Sequence, residues 1–176
     1  MKSSTQNMIR WSLLFGIAFG VVLLDQVTKA LVIANLSLYE RWMPIDALSR
    51  VFSITYTRNT GAAFGIFQSG SLFFLTLAVI ASFAIIYYYR QISTSAWLVR
   101  IALGLQLGGA LGNAIDRILR GYVVDFIHLY YEPHFDWPIF NFADSSIVIG
   151  VFLLVVILWN ADKKESQPQE DYSSSQ

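Results

Sequence analysis

The sequence predicts a mainly α-helical membrane protein, with four transmembrane helices, a small outer β-sheet or cradle and an interfacial helix. Of its 176 residues, 55% are hydrophobic and 14% are charged, whereas soluble domains carry about 25% charged residues. Four apolar stretches approach the length of about 20 residues that crosses a bilayer. The formal net charge is zero, so no basic surface indicates a nucleic-acid partner. The absence of cysteine excludes disulfide and thiolate chemistry.

The predicted spans are mostly free of charged side chains, and they cover about residues 11–33, 71–89, 97–117 and 141–160. Lys2 and Arg10 precede the first apolar stretch as they would in a signal peptide. Because no small-residue cleavage site follows, we expect this helix to be retained. Residues 1–162 are predicted to form a single integral membrane domain. Residues 163–176 are polar and lack apolar periodicity, which predicts a disordered cytoplasmic tail.

Positive charges near the span ends indicate the orientation in the membrane. Arg90 and Arg100 bound the short loop between the second and third spans, which carries no acid, and two lysines directly follow the fourth span. Lys and Arg in short loops favour the cytoplasmic side. We therefore expect both termini to be cytoplasmic, with segments 34–70 and 118–140 on the outer face.

The two outer segments carry strand patterns. RVFSITYT (50–57) and YVVDFI (122–127) alternate side chains in the manner of strands rich in β-branched and aromatic residues. LYERWMPIDALSR (38–50) mixes aromatic and charged residues as an interfacial helix does. The alternative for this last segment is a plain connection between helices.

Glycines recur at every fourth residue in two of the spans. They are Gly16 and Gly20 in the first span and Gly104, Gly108 and Gly112 in the third. This spacing allows helix backbones to approach closely. We interpret these glycines as packing positions.

Polar residues gather at the outer ends of three spans. In chain order they are Asp25, Lys29, Asn113, Asp116, Arg117, Arg120, Asn141 and Asp144. A charge within a span costs roughly 2.5–3.5 kcal/mol on insertion scales, so it persists when it is paired, hydrated or functional. Pairing of Asp25 with Lys29, and of Asp116 with a neighbouring arginine, explains those two acids as well as a functional role does.

Asp125 and Asp144 differ because neither has a cation one helical turn away. Two carboxylates held close together in a poorly solvated site share one proton. That state combines a general base with a general acid. If the two side chains converge, the chemistry that follows is hydrolysis of a peptide bond by water at the membrane surface.

Other chemistries match the residues less well. His128 and His134 are candidate metal ligands, but their spacing matches no zinc motif, and we expect neither a metal nor another cofactor. Ser145 or Ser146 with Lys29 is a candidate Ser–Lys pair, although serine is also a favoured residue at helix starts.

Two non-proteolytic classes remain open from the residues alone. A transport or ion-conducting protein, with Asp25, Asp116 and Asp144 relaying protons or cations, requires polar groups through the full depth of the membrane. The second span offers three serine or threonine residues and no charge. A non-catalytic membrane scaffold would tolerate substitution of the acids.

Four motifs, taken together, resemble the lipoprotein signal peptidase family, also called signal peptidase II. They are LDQVTK (24–29), RNTGAAFG (58–65), GGALGNAIDRILRGYVVDFI (108–127) and WPIFNFADSSI (137–147). They follow the family's order, and the similarity covers about residues 10–160. The resemblance implies a four-helix integral membrane aspartic peptidase with both termini cytoplasmic. Such an enzyme removes the signal peptide of bacterial prolipoproteins after the lipobox cysteine has received a diacylglyceryl group.

The same motifs imply which residues form the site. The family's catalytic aspartates match Asp125 and Asp144. Its substrate-binding or supporting residues match Asp25, Asn59, Asn113, Asp116, Arg117, Asn141 and Ala143. Phe142 stands where the family more often has a smaller aliphatic residue.

We therefore expect lipidated prolipoprotein substrates and membrane lipid as partners, for a monomer without cofactor or metal. The expected location is the bacterial cytoplasmic (inner) membrane, with the active site toward the outer face.

Overall fold

The computed structural model describes residues 2–61, 70–93 and 95–165. Within them, four helices are long and apolar enough to cross a membrane, which confirms the predicted fold class. They are α1 (Lys2–Asn35), α2 (Ser71–Tyr89), α3 (Trp97–Arg120) and α4 (Phe142–Glu165). The last helix continues into the predicted tail, of which residues 166–176 lie outside the described part of the chain.

Helix α3 is the central element, since it packs against each of the other three helices. Over half of its apolar window, 56%, is buried, compared with 6% for α2. The outward faces expose large apolar side chains, such as Leu72 and Phe83, both more than 70% exposed. Exposed apolar surface on this scale is typical of helices that face lipid.

The glycines of α3 permit this central packing. A Cβ added at Gly108 would lie 2.6 Å from Val21 Cβ and 2.8 Å from the Ala18 carbonyl oxygen of α1, and one added at Gly109 would meet the Ala143 carbonyl of α4. The backbones of three helices therefore approach closely only because these positions lack side chains.

The packing interpretation is confirmed for the three predicted glycines of α3, each of which faces α1 atoms, but it is wrong for α1 itself. Gly16 and Gly20 are exposed, and an added Cβ at either would have nothing within 4 Å. Helix α1 instead turns Ala18 and Val21 toward α3.

A four-stranded antiparallel sheet lies beside the helices, in the strand order β1-β2-β3-β4. The strands are β1 (Arg41–Trp42), β2 (Phe52–Asn59), β3 (Val123–Tyr131) and β4 (Phe135–Asp136). The central pair, β2 and β3, sets Thr57 opposite Asp125. The predicted strand patterns thus belong to the two longest strands.

Residues 38–50 differ from the predicted interfacial helix. They contain β1 and a single 3-10 turn at Asp46–Leu48. Tyr39 has a φ of 68°, a left-handed conformation that an α-helix does not contain, and Pro44 cannot donate to a helical ladder. In β1, backbone N–H and C=O groups form hydrogen bonds with β2 instead of with residues of the same helix.

A compact connection attaches the sheet to one end of the helices. Helix α3 ends at Arg120, and the Gly121 that follows has a φ of 78°, which reverses the chain. Strand β3 begins two residues after Gly121. Val32 of α1 packs with Tyr56, Val124 and Phe126 of the sheet in one buried cluster. The sheet therefore covers the ends of α1 and α3, where the polar residues gather.

The glycine contacts generate a matched pair of variants. We expect Gly109→Ala to destabilise the protein by about 1–3 kcal/mol, because its methyl group meets backbone that cannot move aside. Gly16→Ala, with open space around it, should be neutral or stabilising through helix propensity. Thermal unfolding of the detergent-solubilised variants measures the difference. Equal stability of the two variants would contradict the packing role of Gly109.

Candidate active site

Asp125 lies near the start of β3, and it is 2% exposed. Its carboxylate accepts hydrogen bonds from Asn59 Nδ2 at 2.9 Å and from Asn141 Nδ2 at 2.7 Å. Both donors are neutral amides. The side chain is therefore held in position without a direct ion pair among the described residues.

Asp144 lies in the first turn of α4 and forms a reciprocal cap with Asn141. The Asp144 amide N–H donates to Asn141 Oδ1 at 2.9 Å, and the Asn141 amide N–H donates to Asp144 Oδ2 at 3.2 Å. This is the geometry of a capping box, with Asn and Asp in place of Ser and Glu. Asn113 Nδ2 donates to the other carboxylate oxygen at 2.7 Å. The contacts that cap the start of α4 therefore also position the carboxyl group of Asp144.

Asn141 connects the two acids and is completely buried. Because its Oδ1 accepts from the Asp144 N–H, its amide nitrogen must face the other way, toward Asp125 Oδ1 at 2.7 Å and Asn113 Oδ1 at 3.1 Å. The backbone cap therefore fixes the amide orientation that the carboxylate of Asp125 requires.

Burial and charge act together on Asp125. Desolvation by burial, followed by the negative charge of Asp144, raises the pKa of Asp125 to about 7. The hydrogen bonds from Asn59 and Asn141 act in the opposite direction. At neutral pH the Asp125 carboxyl group therefore titrates in the range that a group exchanging a proton requires.

Two further aspartates hold the backbones that carry these acids. Asp25 Oδ1 accepts from the amide N–H of Ala143 at 3.1 Å, one residue before Asp144. Asp116 Oδ2 accepts from the amide N–H of Val124 at 2.9 Å, one residue before Asp125. Both side chains are completely buried. Asp25 and Asp116 therefore support the polypeptide on either side of the site.

Lys29 joins these two supporting aspartates. Its buried Nζ lies 2.8 Å from Asp25 Oδ2 and 3.0 Å from Asp116 Oδ2, and it donates to Asn113 Oδ1 at 3.0 Å. Three contacts match the three N–H donors of an ammonium group. Because Asn113 Oδ1 accepts from Lys29, its amide nitrogen faces Asp144.

The sequence indicated only part of this arrangement. The predicted Asp25–Lys29 pair is present, and Asp116 pairs with Arg120 at 2.6 Å. Sequence reasoning missed that Lys29 also reaches Asp116 and Asn113, because i, i+4 spacing reveals contacts only within one helix. The signal that was available is the cost of placing a lysine inside a span, which implies partners.

The remaining predicted residues surround Asp125 and Asp144. Asn59 Oδ1 accepts from the Gly61 N–H at 2.9 Å, which orients its amide toward Asp125. Arg117 donates weakly to the carbonyl of Gly61 at 3.4 Å and lies over the ring of Phe74. Ala143 is completely buried, and its Cβ lies close to Gly112, so a larger side chain there would separate α3 from α4.

A cavity of about 770 Å³ opens beside the two acids. Its charged and amide lining at one end comprises Asn59, Asn113, Arg117, Asp125 and Asp144. Toward the C-terminal end of α2 and the N-terminal end of α3 the lining is mostly apolar, from Phe74 to Ile85 on α2. The cavity therefore has a polar end beside the two acids and an apolar interior. Its described lining therefore lacks the continuous polar path that ion conduction requires.

The residues of the alternative chemistries have structural roles. His128 Nε2 lies 2.7 Å from Asp136 Oδ1, and no group of three or more potential ligands for a metal ion occurs in the described ranges. The hydroxyl groups of Ser145 and Ser146 donate to carbonyls of Asn141 and Phe142. They serve helix α4, while Lys29 is occupied by its own partners.

Residues 17–160 match the family model described as signal peptidase (SPase) II. A lipoprotein signal peptidase of Halothermothrix orenii is 44% identical over 144 residues, which are 81% of this chain and 92% of that protein. One from Bacillus subtilis is 42% identical over 156 residues, or 88% of this chain and 99% of that protein. A solved bacterial membrane enzyme superposes with a TM-score of 0.77 at 37% identity, covering 88% of this chain and 91% of the other.

The raised pKa of Asp125 predicts a pH-dependent stability. Between the ordinary value of 3.8 and about 7, the folded protein retains a proton that the unfolded chain has lost. The free energy of unfolding should therefore fall as pH rises through this window, by on the order of 4 kcal/mol in total. Asp125→Asn should remove the contribution of Asp125 and so make this slope shallower, which unfolding curves of wild type and variant from pH 4 to 8 would measure. If the free energies of unfolding of wild type and Asp125→Asn change with pH in parallel, the raised pKa of Asp125 is contradicted. Asp46→Asn, at an exposed aspartate, is the control.

The Lys29 contacts predict a charge-balance effect. Lys29→Met leaves Asp25 and Asp116 buried without their shared cation, so we expect a loss of about 3–5 kcal/mol in the free energy of unfolding. Adding Asp25→Asn should recover part of this loss, because it removes one uncompensated charge. Arg41→Met, which breaks an exposed ion pair with Glu132, should cost less than about 1 kcal/mol. Equal effects of Lys29→Met and Arg41→Met on thermal unfolding would contradict the assignment.

Proposed function

The chain belongs to the signal peptidase II family, and we propose that it cleaves prolipoproteins with Asp125 and Asp144 acting together on one water molecule. Membership of this family makes the chain a bacterial membrane protease with lipoprotein signal peptidase function. The proposal concerns the mechanism, the lipidated form of the substrate and the orientation in the membrane.

The contact that carries the proposal is the bridge through Asn141, whose amide binds Asp125 and whose backbone cap binds Asp144. One residue thus couples two acids that lie on different elements and line the same cavity. Two acids in one buried site share a proton more readily than they carry two charges.

In the proposed reaction, the ionised carboxylate removes a proton from water, and the oxygen attacks the carbonyl carbon of the scissile peptide. The protonated carboxyl group transfers its proton to the carbonyl oxygen, which gives a tetrahedral gem-diol intermediate. The carboxyl group that took the proton from water then gives it to the leaving nitrogen, the C–N bond breaks, and one hydroxyl of the gem-diol returns its proton to the other carboxylate. The pKa of about 7 for Asp125 supports a pair of acids that holds one shared proton at neutral pH.

The neighbouring residues have distinct tasks in this proposal. The amides of Asn59, Asn113 and Asn141 hold the carboxyl groups by the hydrogen bonds described above. Arg117 lines the cavity, and its Nε has no partner among the described residues. This leaves a donor for a peptide carbonyl, since an extended peptide entering lipid must satisfy its backbone.

The apolar interior of the cavity supports a diacylglyceryl-modified substrate. Acyl chains gain about 0.8 kcal/mol for each methylene that leaves water, and the lining from Phe74 to Ile85 on α2 offers them hydrocarbon contact. The same surface suits the apolar core of a signal peptide.

The proposed orientation has both termini in the cytoplasm and the site at the outer face. It rests on the positive charges at the opposite end of the helices, where Arg10 and Arg100 donate to the carbonyl of Ile92 in the short loop between α2 and α3. The sheet and the acids lie at the other end, where prolipoproteins would emerge from the bilayer.

Substitution of either acid tests the mechanism. Asp125→Asn and Asp144→Asn should each lower cleavage of a diacylglyceryl-modified precursor peptide at least about a hundredfold, because general acid and base catalysis contributes about 10²–10⁴. Mass spectrometry of the products from purified, folded protein is the measurement.

Asp46→Asn is the matched control for these variants, since Asp46 is exposed in the outer layer, and it should cleave at the wild-type rate. Wild-type cleavage by either catalytic variant would refute the two-aspartate mechanism. Cleavage of an unlipidated precursor as fast as the lipidated one would refute the assigned substrate form.

A further inference from the structure

Gln106 is a polar side chain in the apolar interior of the cavity. It lies on α3, seven residues before Asn113, which corresponds to two helical turns or about 10 Å toward the inner end. It lines the same cavity as Asp125 and Asp144. Its Nε2 is buried and has no hydrogen-bond partner among the described residues.

The part of the cavity that α2 lines beyond Phe74 is hydrocarbon. Helix α2 contributes Leu77, Ala78, Ala81 and Ile85 to the lining, none of which can accept a hydrogen bond through its side chain. The bilayer interior has no water to accept a hydrogen bond from an unpaired donor. Burial of the Gln106 amide therefore costs free energy unless a ligand supplies an acceptor.

Close packing keeps Gln106 in place. Helix α4 has a glycine at the point where it passes this residue, and a Cβ added at Gly150 would lie 2.8 Å from Gln106 Cγ. The same Cβ would lie 2.7 Å from the Ala102 carbonyl oxygen. The stem of Gln106 is therefore enclosed between two helix backbones, which limits its freedom to swing toward the membrane surface.

We propose that Gln106 is a specificity residue that donates a hydrogen bond to a neutral carbonyl oxygen of the substrate, about two helical turns below the two acids. This inference rests on the proposed function. The amide requires an acceptor, and none of the described residues that line the cavity at this depth is charged, so a neutral acceptor matches the site better than an anion. A diacylglyceryl-modified precursor supplies two such groups, the ester carbonyls of its lipid and the peptide carbonyls of its signal sequence.

Gln106→Met tests the proposal, since it keeps the length and apolar stem while removing the amide. We expect KM for an ester-linked diacylglyceryl precursor peptide to rise about tenfold, equivalent to about 1.4 kcal/mol, with kcat within about twofold of wild type. Gln106→Asn, which keeps the amide but shortens its reach, should raise KM in the same way. Ser82→Ala is the matched control, because the Ser82 hydroxyl donates within its own helix to Ala78, and its KM should be unchanged.

An ether-linked precursor, which lacks the lipid carbonyls, distinguishes the two sources. If the ester carbonyl is the acceptor, wild type and Gln106→Met have equal KM for the ether-linked peptide. If a peptide carbonyl is the acceptor, the tenfold difference persists. Either result supports the assignment of Gln106.

An unchanged KM for Gln106→Met on both peptides would overturn it. So would a lower kcat with unchanged KM, or a fall in unfolding temperature in place of a change in KM, because these indicate a structural role. Failure of the proposed function is separate, since it appears as absent cleavage by wild type or as full cleavage by the Asp125→Asn and Asp144→Asn variants.

Discussion

The buried ammonium group of Lys29 is the contact on which the arrangement of the polar residues depends. Hydrocarbon cannot solvate Asp25 and Asp116, so both acids need the cation that lies between them. Their carboxylates also hold the N–H groups of Ala143 and Val124. Each of these residues immediately precedes one of the two candidate catalytic acids. Through Asp25 and Asp116, the single charge of Lys29 in α1 therefore helps to hold the backbone of α4 just before Asp144 and the backbone of β3 just before Asp125.

Charged and neutral partners are divided between two kinds of acid. Asp25 and Asp116 are paired with cations and serve the scaffold. Asp125 and Asp144 are held by asparagine amides, which orient a carboxyl group without neutralising it. This division explains how the protein can keep four aspartates close together while two of them have no direct ion pair among the described residues. The proposed hydrolysis depends on that difference, since an adjacent cation favours the charged form of a carboxyl group.

Helix packing shapes the cavity in which the proposed chemistry would take place. The glycines of α3 bring α1 and α4 close on two sides, and α2 forms part of the wall of the cavity. Phe142, the departure from the family's pattern, packs against Phe126 with a ring-centroid distance of 5.9 Å. It adjoins the buried cluster beneath the sheet. The larger side chain therefore contributes to the contact between α4 and the sheet.

The sequence by itself determined the four membrane-length helices and the two long strands, and it singled out the two candidate acids, because hydropathy and alternation are local properties and the motifs match a known family. The tertiary structure decided the contacts between distant parts of the chain, which a local sequence pattern does not specify. Lys29 reaches a second helix, Arg41–Trp42 pair with β2 instead of forming a helix, and Gly16 faces outward despite its spacing. The partners of Lys29 and of β1 are distant along the chain. Side-chain periodicity specifies which residues share a face, whereas packing and desolvation select the groups that the face meets.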